Sequence, residues 1–201
     1  MRKIIIDTDP GQDDALAMMT AFGAKKDLNV LGVTCVAGNV PLDLTSVNAL
    51  KICELSGFFS VPVFRGSPAP LKRKLITAEH VHGKTGLDGT DLSVKKKELE
   101  PTDAVDFIIE CTEKYRDEKI TICALGPLTN IAKVLKEDTV STESIQEIVL
   151  MGGGFFEGGN ITPAAEFNIY VDPEAAKIVL ESGLKITMLP LDVTHKTLVQ
   201  R

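Results

Sequence analysis

The stretch Lys3-Ile4-Ile5-Ile6-Asp7-Thr8-Asp9-Pro10-Gly11-Gln12-Asp13-Asp14-Ala15-Leu16-Ala17-Met18-Met19 changes character twice. It opens as an apolar run of strand length, passes through a polar turn carrying Pro and Gly, and continues with helical character. A strand feeding directly into a helix is the first half of a strand–helix–strand unit. Working outward, apolar runs of the same kind recur at residues 30–36, 61–64, 120–125, 147–151 and 185–191, after the first at 3–6. They are continuous rather than alternating, which fits strands covered on both faces. Between them, Leu128, Ile131, Ala132 and Leu135 repeat at i, i+3, i+4, i+7, and residues 104–115 form a second apolar helical face. Asp172 followed by Pro173 supplies an N-cap and a first-turn proline, and Gly183 lies just past the segment, which bounds a helix over 173–182. The pattern predicts an α/β fold, an open, mostly parallel Rossmann-like sheet with helices on both faces. In such a sheet the ligand crevice lies beyond the carboxyl ends of the strands, so function belongs in the strand-to-helix loops.

The 201 residues are 44% hydrophobic and 25% charged, an ordinary globular composition that excludes disordered and fibrous classes. With 28 acidic against 22 basic side chains the chain is net negative, which argues against nucleic acid as a partner. No stretch reaches the length of a membrane span, and the first apolar run is too short for a signal segment, so the expectation is a cytoplasmic protein with no membrane partner. Cys35, Cys53, Cys111 and Cys123 stand singly in apolar segments, as buried free thiols do. Residues 67–100 show little periodicity and are rich in Gly, Lys, Thr and Pro, as expected of an active-site loop or a small insertion. Lys95, Lys96 and Lys97 read as a solvated face, and Gly152-Gly153-Gly154, with no Lys-Ser/Thr following, as tight backbone turning rather than a phosphate cradle.

The turn after the first strand holds four carboxylates, Asp7, Asp9, Asp13 and Asp14. A helix start uses one capping acid and tolerates a second beside the positive end of its dipole. Four acids crowded at a buried strand end repel one another unless a cation sits among them, and an all-oxygen set suits Ca²⁺ or Mg²⁺.

The segment Asp7 to Ala15 resembles the N-terminal signature of the inosine-uridine preferring nucleoside hydrolases. Val36-Ala37-Gly38-Asn39, His82-Gly83 with Gly86-Leu87, Gly126-Pro127-Leu128-Thr129-Asn130, Met151-Gly152-Gly153, and Gly159-Asn160 leading to Ala165-Glu166-Phe167-Asn168 resemble further motifs of that family, in order. The resemblance implies a Ca²⁺-dependent hydrolase that cleaves the N-ribosidic bond of ribonucleosides to free base and ribose. It implies Asp9 and Asp14 as calcium ligands together with the backbone carbonyl of Leu125, and Asp9 as general base on a metal-bound water. It implies that Asp13, Asn39, Asn160, Glu166 and Asn168 grip the ribose, that His82 lies near the nucleobase, and that Met151 touches ribose or base. It implies a homo-oligomer, dimer or tetramer. Taken residue by residue, Asn39 and Asn160 also suit plain turns, His82 a surface position, and Met151 the core.

The chain ends at Leu198-Val199-Gln200-Arg201, where family members continue through a segment that ordinarily brings a further aspartate ligand and often a histidine beside the leaving base. The expectation is therefore a single nucleoside-hydrolase-like domain over 1–201 that lacks the family's C-terminal segment. His195 does not match the missing histidine's motif. A weakened or inactive paralogue that binds nucleoside or ribose is the alternative. The Asp7-Thr8-Asp9 order also admits a haloacid-dehalogenase-like phosphatase with an aspartyl nucleophile, which Pro10-Gly11 and Asp13-Asp14 fit poorly.

Overall fold

A computed structural model describes residues 1–89, 91–137 and 142–198. In chain order the elements are β1 (Arg2–Thr8), α1 (Gln12–Gly23), β2 (Leu28–Cys35), α2 (Leu42–Leu55), β3 (Val63–Arg65), α3 (Glu79–His82), α4 (Ala104–Lys114), β4 (Ile120–Ala124), α5 (Thr129–Val134), a 3₁₀ turn (Thr142–Ser144), β5 (Ile145–Met151), α6 (Phe167–Val171), α7 (Pro173–Leu180), β6 (Ile186–Leu189) and α8 (Leu191–Thr194). Among the described residues the strands form one sheet in the order β3-β2-β1-β4-β5-β6, every pair parallel. The chain winds outward from β1 through β2 and β3, then returns to pair β4 against the other edge of β1. That reversal is a topological switch point, where the loops leaving β1 and β4 part to opposite faces and leave a crevice.

Strand alternation divides the core. Ile4 and Ile6 pack with Met18, Phe22, Val33 and Ile52 beneath α1 and α2, whereas Ile5 packs with Ile108, Ile122, Ile131 and Ile148 beneath α4, α5 and α7. Burial on both faces is why the middles of these strands are mostly apolar. The expected helix after Asp172 spans Pro173–Leu180, and the Asp172 carboxylate accepts from the Ala175 N–H at 3.0 Å. Asp172 is fully buried and also accepts from the Leu71 N–H and the Thr129 hydroxyl, so it ties three segments together.

Several boundaries differ from the sequence expectation. The run at 61–64 enters the ladder only at Val63, after Pro62, which has no N–H to donate. The run at 185–191 gives a strand of four residues because Pro190 stops it and Leu191 starts α8. Residues 67–100 contain only the short α3 among their described positions; Thr90 lies outside them. Lys95, Lys96 and Lys97 are held by their backbone, since all three N–H groups donate to the Glu54 carboxylate. Cys35, Cys53 and Cys111 are buried free thiols and Cys123 is half-buried. No helix among the described residues is long and apolar enough to cross a membrane.

Candidate active site

β1 delivers its acids to the switch point. Asp7, the last acid inside the strand, is fully buried, and its Oδ1 accepts from the Thr34 hydroxyl (2.5 Å) and the Asn130 amide (2.8 Å). Burial pushes its carboxyl up to about 6 despite those bonds. Asp14 caps α1, accepting from the Gly11 N–H at 3.0 Å and the Thr8 hydroxyl at 2.6 Å. Burial and the charge of Asp13 raise it to about 7. Asp9 lies between them in sequence and is also buried. Its Oδ2 accepts from the Asn39 N–H at 2.7 Å, while its Oδ1 is buried with no hydrogen-bond partner among the described residues. Desolvation first, and then the neighbouring Asp14 charge, hold Asp9 well above the usual carboxylate range.

Two glycines make room for Asp9. A Cβ at Gly38 would lie 2.1 Å from Asp9 Oδ2, and one at Gly126 would lie 2.3 Å from Oδ1. The carboxylate is thus sandwiched between the backbones that follow β2 and β4. The peptide entering Gly126 carries the Leu125 carbonyl, which the Asn168 amide meets at 2.8 Å.

The other sequence candidates gather around the same strand ends. Asn39 braces the acids, donating from Nδ2 to the Asp9 carbonyl at 3.0 Å and to Asp14 Oδ2 at 3.4 Å. Asn168 braces the β4 and β5 ends, reaching the carbonyl and sulfur of Met151 as well as Leu125. Glu166 caps α6, accepting from the Asn168 and Ile169 N–H groups, and also holds the Gly153 N–H, with burial raising its carboxyl. Gly153 sits at φ +70°, the tight turn expected of the glycine run. Asn160 is exposed and its Oδ1 accepts from the Phe167 N–H at 2.8 Å, which is turn chemistry. Asp13 is exposed on the first turn of α1, and half-buried His82 lies over it with Nδ1 4.0 Å from Oδ1. His195 pairs with Glu157 in an exposed contact.

A family model described as inosine-uridine preferring nucleoside hydrolase matches residues 4–201. The chain belongs to this family.

Within the inosine-uridine preferring nucleoside hydrolases, the chain is 52% identical to an uncharacterized protein of Schizosaccharomyces pombe, over 96% of this chain and 62% of the relative. It is 46% identical to a pyrimidine-specific ribonucleoside hydrolase of Escherichia coli, over 98% of this chain and 61% of that protein. The solved purine-preferring ribonucleoside hydrolase from Gardnerella vaginalis superposes with a TM-score of 0.93 at 35% identity, covering 99% of this chain and 64% of that one. The chain spans about three fifths of the length of the curated relatives it matches.

The nucleoside hydrolase motifs fit an oxygen-ligated cation in this chain. An unpartnered, buried carboxylate oxygen beside a second buried acid is a costly arrangement that a cation relieves. Among the described residues no three His, Cys, Asp or Glu side chains cluster as a ready metal set. Two buried carboxylates and a strand-end carbonyl offer the hard-oxygen mixture that suits Ca²⁺. Two cavities, of about 250 and 230 Å³, lie at the amino ends of the strands and do not border the acid loop.

Buried polar side chains on other elements support these acids. Asn130 is fully buried, accepts from the Ser67 N–H at 2.8 Å, and donates to Asp7 and to the Cys35 carbonyl at 3.0 Å. Thr34 and Thr8 hold Asp7 and Asp14 in the same way. An Asn just inside a helix, where its side chain competes with the helical backbone, was the available signal for Asn130.

Proposed function

We propose that this chain serves hydrolysis of the N-ribosidic bond of ribonucleosides, releasing free base and ribose, with Ca²⁺ held by Asp9, Asp14 and the Leu125 carbonyl. The observation that carries the reading is the pair of buried acids at the strand switch point, with one Asp9 oxygen unpartnered. Bound there, calcium would neutralise the acids and lower the pKa of a water beside them. Asp9 takes the proton of the attacking water: its carboxylate is fixed by the Asn39 N–H and by the Gly38 and Gly126 backbones. The water oxygen bonds to C1′ of the ribose as the C1′–N bond breaks and its electron pair leaves with the base. Positive charge that develops on the sugar faces an acidic pocket. Asp13, Asn39, Asn160, Glu166 and Asn168 receive the ribose hydroxyls, with Met151 beside the ribose or base and His82 on the base side.

Relatives are described as pyrimidine-specific and as purine-preferring, and what their substrates share is the ribosidic bond. The rest of the reading is a single nucleoside-hydrolase-like domain over 1–201, cytoplasmic, and a homo-oligomer, dimer or tetramer. The test incubates the chain with inosine and with uridine, with Ca²⁺ or with chelator, and follows free base and reducing sugar. Calcium-dependent base release that disappears in Asp9→Asn supports the reading. Nucleoside-dependent thermal stabilisation without base release at high protein concentration would show a binder instead.

A further inference from the structure

The geometry points to Gln12 as a positioning residue that locks His82 in the Nδ1–H tautomer, so that His82 offers the ligand a hydrogen-bond acceptor at Nε2. The inference deepens the proposed reading and rests on it for the identity of the ligand, though the tautomer itself can be tested without turnover. Two contacts form a clamp: Gln12 Oε1 lies 2.8 Å from His82 Nδ1, and Gln12 Nε2 donates to the His82 carbonyl at 3.3 Å. The second contact orients the first. Flipping the amide would set its oxygen against the His82 carbonyl oxygen, so the oxygen must face the ring, and a ring nitrogen facing an amide oxygen must carry the proton. Asp13 Oδ1, 4.0 Å from the same nitrogen, is beyond hydrogen-bond reach, so the tautomer rests on Gln12.

The ring has little freedom to leave this arrangement. It lies against Gly11, where a Cβ would come within 2.5 Å of Nδ1 and 2.8 Å of Cε1. Burial disfavours the charged imidazolium and lowers its pKa, with the Asp13 charge opposing. With Nδ1–H committed to Gln12, Nε2 carries the lone pair and no described residue donates to it. The matching ligand group is a donor: a ribose hydroxyl or a nucleobase N–H. In this tautomer His82 recognises substrate and does not hold a proton for the leaving base.

Gln12 is exposed, so replacing it leaves the core untouched. The test is a long-range proton–nitrogen NMR spectrum of imidazole-labelled chain above the histidine titration range. The three histidines His80, His82 and His195 are assigned from His80→Gln and His195→Gln samples. The expected result is an Nδ1–H signature for His82 in the unaltered chain, loss of that signature in Gln12→Ala and in isosteric Gln12→Met, and its retention in Gln12→Glu, which keeps the acceptor. An Nε2–H signature in the unaltered chain, or an unchanged tautomer in Gln12→Ala, would overturn the proposal whether or not the chain turns over nucleosides. Where base release is measurable, Gln12→Ala should raise KM about five- to tenfold with kcat nearly unchanged, as loss of one ligand hydrogen bond does. 5′-Deoxyinosine and 1-methylinosine identify the donor: the analogue that lacks it shows the raised KM and no further penalty from Gln12→Ala. Equal penalties from Gln12→Ala on inosine, on both analogues and on 2′- and 3′-deoxyinosine would contradict the assignment of Nε2 as the acceptor.

Discussion

Replacing Asn130 with Ala removes one side chain, leaves the buried Ser67 N–H and Cys35 carbonyl without their Asn130 partner, and strips the Asp7 carboxylate of one of its two donors, Thr34 being the other. Each such group costs about 1–3 kcal/mol when left unpaired. The two unpaired groups total roughly 2–6 kcal/mol; the weakened Asp7 adds to this and water entering the space that the amide occupied against Gly66 reduces it, so we expect about 4 kcal/mol. Against a typical domain stability of about 5–15 kcal/mol that is a large share. At about 2–4 °C per kcal/mol for a chain of this size, the melting temperature should fall by roughly 8–16 °C. Asp7, deprived of the Asn130 donor, should titrate above its present value of about 6. The assay is urea unfolding followed by circular dichroism and Asp7 carboxyl NMR, beside Thr20→Val, whose exposed hydroxyl bonds only within α1 and should matter little. A loss below about 1 kcal/mol, or an unmoved Asp7, would refute the argument that Asn130 holds the strand ends together.

Three further outcomes are expected. Gly126→Ala forces a methyl to within 2.3 Å of Asp9 Oδ1, so base release should fall at least about a hundredfold, as a displaced catalytic group does; steady-state kinetics beside a thermal melt measures it. Asp14→Asn removes a buried acid that repels Asp9, so without calcium the variant should melt above the unaltered chain, yet calcium should no longer raise its melting temperature; a calcium-dependent rise that persists would contradict Asp14 as a ligand. Glu147 accepts from Arg2 at 2.9 Å and Lys185 at 3.0 Å, and these bonds, Lys185 foremost, hold its carboxyl below the ordinary 4.5. A depressed acid contributes stability above its unfolded value and loses it as pH falls through its folded value. The stability gap between the chain and Glu147→Gln should therefore close below about pH 4.5 in acid-unfolding curves.

The parts of the fold written in local pattern were legible. The apolar runs at 3–6, 120–125 and 147–151 mark inner strands of the sheet because strands buried on both faces are mostly apolar, with few polar positions such as Thr121 to interrupt them. Asp172 and Pro173 announce their helix because capping is a matter of neighbouring residues. The crowding of Asp7, Asp9, Asp13 and Asp14 was visible as charge density in one turn. The supports were not, because they join residues far apart in the chain. Asn130 meets Asp7 across 123 positions, and Gly38 and Gly126 flank Asp9 only once β2 and β4 lie beside β1. The exposed stretch of residues 67–100 hides a similar long-range role, since the Asn48 amide holds the Pro10 and Thr85 carbonyls together and His82 docks on Gly11. No periodicity encodes such contacts, and β3 starts later than its apolar run because Pro62 accepts from the Val33 N–H but has no N–H of its own to donate.

The measurement that bears most directly on the central claim is a calorimetric titration of the chain with Ca²⁺, run beside Asp9→Asn and Asp14→Asn. The account predicts one calcium per chain, bound with proton release near neutral pH because the buried acids must ionise, and lost in both variants. A folded chain that takes up no calcium at millimolar concentration, or one whose calcium binding survives both substitutions, would contradict it.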